Sequence, residues 1–330
     1  MSDIILDVKD LSMSFFTDQG ELPAVNRVSF QVEKGRTLGI VGESGCGKSM
    51  TSLCVMRLFP SPPGRIVGGS ILFHGQDLTK LSKKEMRAIR GKGIAMIFQE
   101  PMTSLNPVLT IGKQLTEAIM AHETVSKAEA RARALHMIDL VGIPMPEKIY
   151  ASCPHQLSGG MRQRIMIAMA LSCKPDLLIC DEPTTALDVT IQAQILDLIN
   201  RLKNETGTSV MMITHDMGVI NEMTDTVLVM YAGQVVEYAA TGELFSRPSH
   251  PYTTGLIASI PSLDREEEEL NVIPGAVPML YELPEGCLFC PRCPYATDRC
   301  RKERPELSEI APGHQVRCFR YSSDGKEERP

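Results

Sequence analysis

Residues 42–49 read Gly-Glu-Ser-Gly-Cys-Gly-Lys-Ser and fit the pattern G-x-x-x-x-G-K-[ST]. In such a loop the glycines let successive backbone N–H groups turn inward around phosphate oxygens, and the N-terminus of the following helix adds partial positive charge. Lys48 would then reach the outer phosphates, and Ser49 would offer its hydroxyl to Mg²⁺. The residues predicted to bind the phosphate-bearing ligand are Gly42, Ser44, Gly45, Cys46, Gly47, Lys48, Ser49 and Met50.

Two adjacent carboxylates follow an apolar run, Leu177 to Cys180. A strand that ends in this way delivers an acid to the Mg²⁺ beside such a loop, and we assign that role to Asp181. Glu182, one residue on, would project to the opposite side of an extended chain, where it would polarise a water for attack on the γ-phosphate. The alternative is an acid pair that faces solvent, which the phosphate-loop motif disfavours.

Five cysteines crowd into one C-terminal window, and they are a second candidate site. The chain start lacks the basic and apolar segments of a signal peptide, so we expect the cytoplasm, where disulfides are disfavoured and a metal is favoured. The spacing is like the opening of a ferredoxin-type run, tetrahedral zinc is the rival, and unligated thiols are the third interpretation. The cysteines are Cys287, Cys290, Cys293, Cys300 and Cys318.

The elements that must position these residues follow from hydrophobic periodicity. Short β-rich runs come first (4–8, 28–32 and 37–41), and the third run ends in the glycine loop, after which a helix starts near Lys48. A strand is predicted at 93–98 and amphipathic helices at 111–122 and 126–140, the latter with a capping box at Ser126. Strands at 177–180, 209–214 and 227–231 alternate with a helix that ends at Gly207. The predicted apolar stripe of that helix is Ile191, Ile195, Leu198, Ile199 and Leu202.

This order predicts an α/β fold over residues 1–262, with a helical subdomain at about 102–172. Beyond Pro261 the composition changes. The acidic run 264–269 is predicted to be a solvated hinge, and residues 263–330 form a small, irregular, Cys-rich extension.

The charge and the lengths of the apolar stretches limit the classes of partner. With 34 Lys and Arg against 40 Asp and Glu among 330 residues, the formal net charge is −6, which disfavours a dedicated nucleic-acid-binding protein. The longest apolar stretch, 165–173, is far shorter than the roughly 20 residues that span a bilayer. We therefore expect no membrane crossing by the chain itself.

The run Leu157-Ser158-Gly159-Gly160-Met161-Arg162-Gln163 resembles the signature sequence of ATP-binding cassette (ABC) ATPases. Physically it is a second anion site, because Ser158 and the Gly159 and Gly160 amides open a helix. The resemblance implies that two cassettes pair head to tail, so that the signature of one closes over the γ-phosphate held by the other. It also implies a P-loop core with a mixed sheet, an N-terminal antiparallel β subdomain and a helical subdomain.

The other ABC hallmarks match residue by residue. Phe15 resembles the aromatic that stacks on adenine, although Phe16 leaves the register uncertain by one. Gln99 resembles the glutamine that contacts Mg²⁺ and the attacking water and senses the transmembrane partner. Asp188 resembles the D-loop acid, and His215 the switch histidine that holds the γ-phosphate. The resemblance therefore implies an ATPase whose catalytic residues are Glu182, His215 and Gln99.

Three further motifs resemble the ATPase subunits of bacterial oligopeptide and dipeptide importers: residues 98–107, Ser249-His250-Pro251-Tyr252-Thr253, and Pro291-Arg292-Cys293-Pro294. Pro251 in the second of these is also a good first residue for a helix. The resemblance covers nearly the whole chain. It implies a peripheral protein at the cytoplasmic face of the inner membrane that powers peptide import.

The partners implied are a second, homologous ATPase subunit, with a homodimer as the alternative, two transmembrane permease subunits and an extracytoplasmic peptide-binding protein. Nickel and glutathione importers share the pattern. A soluble ABC ATPase that acts on a macromolecule is the alternative class, although such proteins usually carry two cassettes in one chain.

The same resemblance implies a [4Fe-4S] cluster held by Cys287, Cys293, Cys300 and Cys318, since the position of Cys290 is not usually a cysteine. The residues alone place Cys290 within the ferredoxin-like spacing. The two interpretations disagree on Cys290, and zinc stays the alternative metal.

Overall fold

The structure is a computed structural model that describes residues 3–18, 20–99, 104–185, 187–260 and 272–321. Within these ranges the strands are β1 (Ile4–Thr17), β2 (Gly20–Glu33), β3 (Thr37–Val41), β4 (Gly64–Phe73), β5 (Gln76–Asp77), β6 (Ile94–Ile97), β7 (Leu177–Asp181), β8 (Ser209–Thr214), β9 (Thr226–Tyr231), β10 (Gln234–Ala240), β11 (Ser308–Ala311) and β12 (His314–Val316).

The α-helices of the same ranges are α1 (Lys48–Met56), α2 (Lys83–Ile89), α3 (Ile111–His122), α4 (Lys127–Leu140), α5 (Pro146–Ala151), α6 (Gly159–Leu171), α7 (Val189–Thr206), α8 (Met217–Met223), α9 (Thr241–Ser246), α10 (Pro251–Ala258) and α11 (Asp298–Lys302). Short 3₁₀ helices lie at Leu78–Lys80, Pro154–Gln156 and Cys290–Arg292. Contacts along the chain divide it into two compact units. The first unit is Met1–Ile5, Val32–Arg36 and Lys80–Met211, and the second unit is Leu6–Gln31, Thr37–Thr79 and Met212–Pro330.

The first unit contains β6 and β7, which pair in parallel, and the helices α2 to α7. Every residue of β7 is buried, as expected for a parallel strand covered on both faces. The helices α3 to α6 lie within the helical block predicted at about 102–172, although the start of that block at residue 102 lies outside the described residues.

The second unit contains two sheets. One is antiparallel, with the order β2-β1-β4-β5, and it is the predicted N-terminal antiparallel sheet. The other is mixed: β3 pairs in parallel with β9, β9 pairs antiparallel with β10, and β10 pairs antiparallel with β12. All five residues of β3 are buried, so the strand that leads into the glycine loop is fixed by the core.

Several predicted elements match closely. Residues 37–41 and 209–214 are strands and 111–122 is a helix, as predicted. Ser126 is the N-cap of α4 and accepts the Glu129 N–H, whereas the Glu129 carboxylate pairs with Arg133 one turn further on. Local signals such as caps and periodicity therefore set these boundaries.

The helix α7 confirms most of its predicted stripe. Ile195, Leu198, Ile199 and Leu202 are buried, whereas Ile191 is half-buried, and Gly207 ends the helix with a φ of 70°. The strands predicted at 4–8 and 28–32 are too short, because antiparallel pairing continues through the polar residues of β1 and β2. The acidic run 264–269 and the boundary at 262 lie outside the described residues.

The C-terminal region is less irregular than its composition suggests. Its strands β11 and β12 extend the mixed sheet of the second unit at β10, where Glu237 lies opposite Val316. Leu288 and Phe289 are buried in a hydrophobic cluster with Tyr231 and Tyr252. The region therefore shares both a sheet and a core with the strands that follow the glycine loop.

A fully buried carboxylate fixes this junction. Glu237 of β10 accepts the backbone N–H groups of Ser249 (2.8 Å) and His250 (2.9 Å), and its Oε1 lies 2.8 Å from Nε2 of His314. Two backbone N–H groups and one imidazole, from two different segments of the chain, thus share the Glu237 carboxylate.

We expect Glu237→Ala to lower the free energy of unfolding by about 3 kcal/mol, because buried donors lose their acceptor. Glu237→Gln, which retains one oxygen, is expected to lose less. Urea unfolding of the full chain measures both changes. The exposed Glu243 gives a matched control, since Glu243→Gln should change stability by no more than about 0.5 kcal/mol; an equally small effect of Glu237→Ala would contradict the assignment.

Candidate nucleotide-binding site

The glycine loop has the strand–loop–helix setting that its motif requires, between β3 and α1. Gly42, Gly45 and Gly47 have φ values of 151°, 81° and 99°, in the region that side chains rarely adopt. A Cβ on Gly42 would also clash with the Met230 carbonyl oxygen of β9. The loop therefore needs glycine both for its conformation and for its close approach to the neighbouring strand.

Lys48, the first residue of α1, is only 5% exposed. Its ammonium group donates to the carbonyl oxygens of Gly42 (2.7 Å) and Glu43 (3.0 Å), so it lies across the loop. The side chain of Cys46 is fully buried, and burial raises the pKa of its thiol. The backbone N–H of Cys46 donates to the Glu43 carbonyl oxygen at 3.3 Å, and its carbonyl oxygen accepts from the Gly233 N–H at 2.9 Å, whereas Ser44 and Gly45 are exposed.

The two aromatic candidates lie near the end of β1. Phe15 is half-buried and lies opposite Gly64 of β4, whereas Phe16 is 41% exposed with the Arg65 guanidinium 5.4 Å from its ring centroid. Consecutive strand residues face opposite sides, so one of the two rings at most faces a base bound beside the loop. The assignment to Phe15 stays a prediction.

His215 directly follows β8 and is exposed. Its neighbour Asp216 caps α8 by accepting the N–H groups of Gly218 (2.8 Å) and Val219 (3.2 Å). The cap fixes the turn from which the His215 side chain extends. The second unit thus contains the phosphate loop, both aromatic candidates and His215.

The first unit brings Gln99 and Glu182 together, as the resemblance implies for two catalytic residues. Glu182 Oε2 accepts from Gln99 Nε2 (3.0 Å) and from Thr185 Oγ1 (2.9 Å). Thr185 is a contact that the sequence did not single out.

Glu182 does not project from an extended chain, so that part of the prediction is wrong. The strand ends at Asp181, which is 5% exposed, and Glu182 has a φ of +47°, in the left-handed region. The chain turns there, and Thr185 N–H donates to the Glu182 carbonyl oxygen at 3.2 Å. Such strain costs about 1–3 kcal/mol for a non-glycine residue and persists where the surroundings enforce it. Strand alternation therefore does not set the direction of the Glu182 side chain.

The signature residues form the start of α6, as predicted. Ser158 is the N-cap, and its Oγ accepts the Met161 N–H at 3.3 Å. A Cβ on Gly159 would meet nothing within 4 Å, whereas one on Gly160 would lie 3.0 Å from Ile191 of α7. Gly160 therefore permits close packing, while the space beside Gly159 is open.

Two more side chains fix neighbouring segments of the first unit. Asp188 is the N-cap of α7 and accepts the Ile191 N–H at 3.0 Å. Gln163, inside the signature, donates to the carbonyl oxygen of Pro183, the residue after Glu182. The signature motif includes Gln163 but does not predict this contact, since a sequence pattern does not reveal which way an amide points.

The five C-terminal cysteines line one cavity of about 170 Å³ in the second unit, together with Phe289, Phe319 and Arg320. All ten cysteines of the chain are unbridged. Among the described residues, no group of three or more His, Cys, Asp or Glu side chains is arranged to hold a single metal ion. This arrangement therefore supports neither zinc nor a [4Fe-4S] cluster, and both stay predictions.

Comparisons with known proteins agree with this geometry. The family model described as ABC transporter matches residues 25–185, and the model described as oligopeptide/dipeptide transporter, C-terminal region, matches residues 236–300. Among solved structures, the chain is similar to the dimeric post-hydrolysis state of the ATP-binding cassette MJ0796 bound to ADP and Pi. The TM-score is 0.64 at 26% identity, over 72% of this chain and 98% of that one.

Two curated relatives cover almost the whole chain. The oligopeptide transport ATP-binding protein AppD of Bacillus subtilis is 52% identical over 98% of this chain and 99% of its own length. The dipeptide transport ATP-binding protein DppD of Escherichia coli is 49% identical over 95% of this chain and 96% of its own. Together with the ATPase fold and its phosphate loop, these matches identify the chain as an ATP-hydrolysing ATP-binding protein of the ABC transporter family, in the branch that carries the oligopeptide/dipeptide transporter C-terminal region.

Proposed function

We propose that this ATPase powers the import of dipeptides or oligopeptides by a binding-protein-dependent ABC transporter. The observation that carries the proposal is the match to the oligopeptide/dipeptide C-terminal region at residues 236–300. Relatives named for oligopeptide and dipeptide transport support it over the full chain length. The names of these relatives favour a peptide importer over a nickel or glutathione importer or a soluble ABC ATPase.

The proposed partners are a second homologous ATPase, two permease subunits and an extracytoplasmic peptide-binding protein. In the described part of the chain no helix is long and apolar enough to cross a bilayer. We assign the membrane passage to the permease subunits and place the chain peripherally at the cytoplasmic face of the inner membrane. A dimeric ABC cassette among the similar structures supports pairing of two ATPases.

In the proposed mechanism, Lys48 and the loop amides bind the outer phosphates of ATP, and Phe15 stacks on the base. Ser49, Gln99 and Asp181 would hold Mg²⁺, whose preferred ligands are oxygens, and the bound ion would neutralise phosphate charge. Glu182 acts as the general base that accepts a proton from the attacking water, while Gln99, its hydrogen-bond partner at 3.0 Å, orients that water. His215 would contact the γ-phosphate.

The signature completes a site on the partner. Ser158, Gly159 and Gly160 present a helix N-terminus to the γ-phosphate held by the other cassette, and Asp188, the N-cap of α7, belongs to the same unit as this helix. This pairing accounts for the open space beside Gly159, which the chain's own packing leaves free.

Uptake by the intact complex tests the transport function. The membrane complex that co-purifies with this chain, reconstituted in vesicles, should accumulate labelled di- or oligopeptides with ATP and the binding protein, but neither Ni²⁺ nor glutathione. Glu182→Gln is the matched control, expected to bind ATP while turnover falls about 10²–10³-fold and uptake stops. Uptake of Ni²⁺ or glutathione alone would contradict the substrate class. Purification of the chain without membrane subunits would contradict its assignment to a transporter.

Gly159→Asp tests the head-to-tail pairing. An aspartate at the first position of α6 favours the helix, because it complements the positive N-terminus, so folding should be retained. The same carboxylate would repel a γ-phosphate that approaches from the partner, so ATP hydrolysis should fall about 100-fold. Gly242→Ala in α9 is the control, because a Cβ at that position also meets nothing within 4 Å. Full hydrolysis by folded Gly159→Asp would exclude the proposed pairing.

We further propose that the C-terminal cavity holds a [4Fe-4S] cluster on Cys287, Cys293, Cys300 and Cys318. Thiolates are the ligands of such clusters, and all four residues line the cavity. Burial raises the pKa of Cys287 to about 12 and that of Cys318 to about 11, so these two thiols stay protonated without a cation. The group would cross-link residues that lie before, within and after the short helix α11.

Iron and sulfide analysis of anaerobically purified protein tests this ligand set. We expect about four irons per chain and visible charge-transfer absorbance. Cys300→Ser should lose the iron, whereas Cys290→Ser should retain it. Colourless protein with stoichiometric zinc would overturn the cluster, and iron loss in Cys290→Ser alone would overturn the ligand assignment.

A further inference from the structure

Glu43, the second residue of the phosphate loop, is held from the C-terminal region. Its carboxylate forms two hydrogen bonds with the Arg292 guanidinium, from NH1 to Oε2 at 2.6 Å and from NH2 to Oε1 at 3.0 Å. Its backbone N–H donates to the Tyr252 hydroxyl at 2.8 Å. Both partners belong to the second unit, like the loop itself, but lie more than 200 residues away in sequence.

Arg292 is itself fixed in place. Nε donates to the Pro274 carbonyl oxygen (2.8 Å) and NH2 to that of Ile273 (3.2 Å), and the guanidinium lies over the rings of Tyr231 and Phe289. The side chain is 4% exposed, against 33% for Glu43. A planar guanidinium held in this way offers the carboxylate a rigid fork, which a lysine would not provide.

The position of Glu43 also affects Lys48. The Glu43 carbonyl oxygen accepts from the Lys48 ammonium at 3.0 Å. The side chain of Glu43 is therefore engaged by Arg292 of the C-terminal region, its N–H by Tyr252 of α10, and its carbonyl by the lysine assigned to the phosphates. Moving Glu43 would move the loop amides and the resting place of Lys48 together.

We propose that Arg292 is a positioning residue for ATP binding: it acts through Glu43 to fix the phosphate loop, so the C-terminal region helps to set the affinity of the chain for nucleotide. Arg292 touches no phosphate in this scheme. Without it, Glu43 would lose its fixed place and would present an unpaired carboxylate beside a polyanion. Both effects weaken ATP binding. The inference rests on the proposed role of this loop in binding ATP.

A double-mutant cycle on the full chain tests the proposal, with equilibrium binding of ATP and ADP as the readout. Arg292→Gln should raise the Kd for ATP about 10-fold in the wild-type background. In a Glu43→Gln background the same change should alter Kd by less than about twofold, because Arg292 acts through the Glu43 carboxylate. A twofold change is within the error with which the effects of independent substitutions add. Arg292→Lys keeps the charge without the fork and should give an intermediate Kd.

Control variants distinguish the positioning role of Arg292 from a general loss of charge and from a failure of the proposed ATP site. Arg301→Gln removes an exposed ion pair with Asp298 in the same region and should leave Kd unchanged. Lys48→Ala must abolish ATP binding; if it does not, the proposed site fails rather than the role of Arg292. If Arg292→Gln does not fold, Arg292→Lys in the two Glu43 backgrounds decides. Unchanged Kd with a lower melting temperature, or the same factor in both backgrounds, would overturn the proposal.

Discussion

The structure depends on a constraint at the phosphate loop, where a chain of net charge −6 must bind a polyanion with backbone N–H groups. Such groups bind well only if the loop holds its shape in advance, since ordering it on binding would cost conformational entropy. The buried strand β3, the contact of Gly42 with β9 and the Lys48 hydrogen bonds to loop carbonyls all supply that order. The fold of the second unit thus pre-orders the loop for a polyanion that the net negative charge of the chain would otherwise repel.

Several residues predicted to belong to the nucleotide site also hold local structure. Ser158 and Asp188 cap the helices that they are expected to present to nucleotide, and Gln99 contacts Glu182 in a strained turn. A substitution of Ser158 or Asp188 would therefore change a helix end as well as the proposed contact with nucleotide. Gly159 differs, because its neighbourhood in the chain is open, so it reports on an approaching partner more cleanly than the caps do.

Features set by neighbours in sequence were predictable. The strand 37–41, the helix 111–122 and the αL end at Gly207 follow from periodicity, caps and glycine conformation. The left-handed conformation of Glu182 was not predictable, since a strand-end carboxylate looks the same in sequence whether the chain continues straight or turns. Pairing of β12 with β10 and of Arg292 with Glu43 also escaped prediction, because no period or motif links residues so far apart.

The C-terminal region does more than extend the cassette. Its His314 meets Glu237, which also holds the start of the helix at Pro251, and that helix carries Tyr252 to the Glu43 N–H. Arg292, beside two of the clustered cysteines, completes the second contact to the same residue. Two motifs that the sequence offered as marks of a subfamily, at 249–253 and 291–294, therefore each send one side chain to the phosphate loop. A cassette without this region would have to hold Glu43 by other means, so in this chain the accessory segment and the phosphate loop form one structural unit.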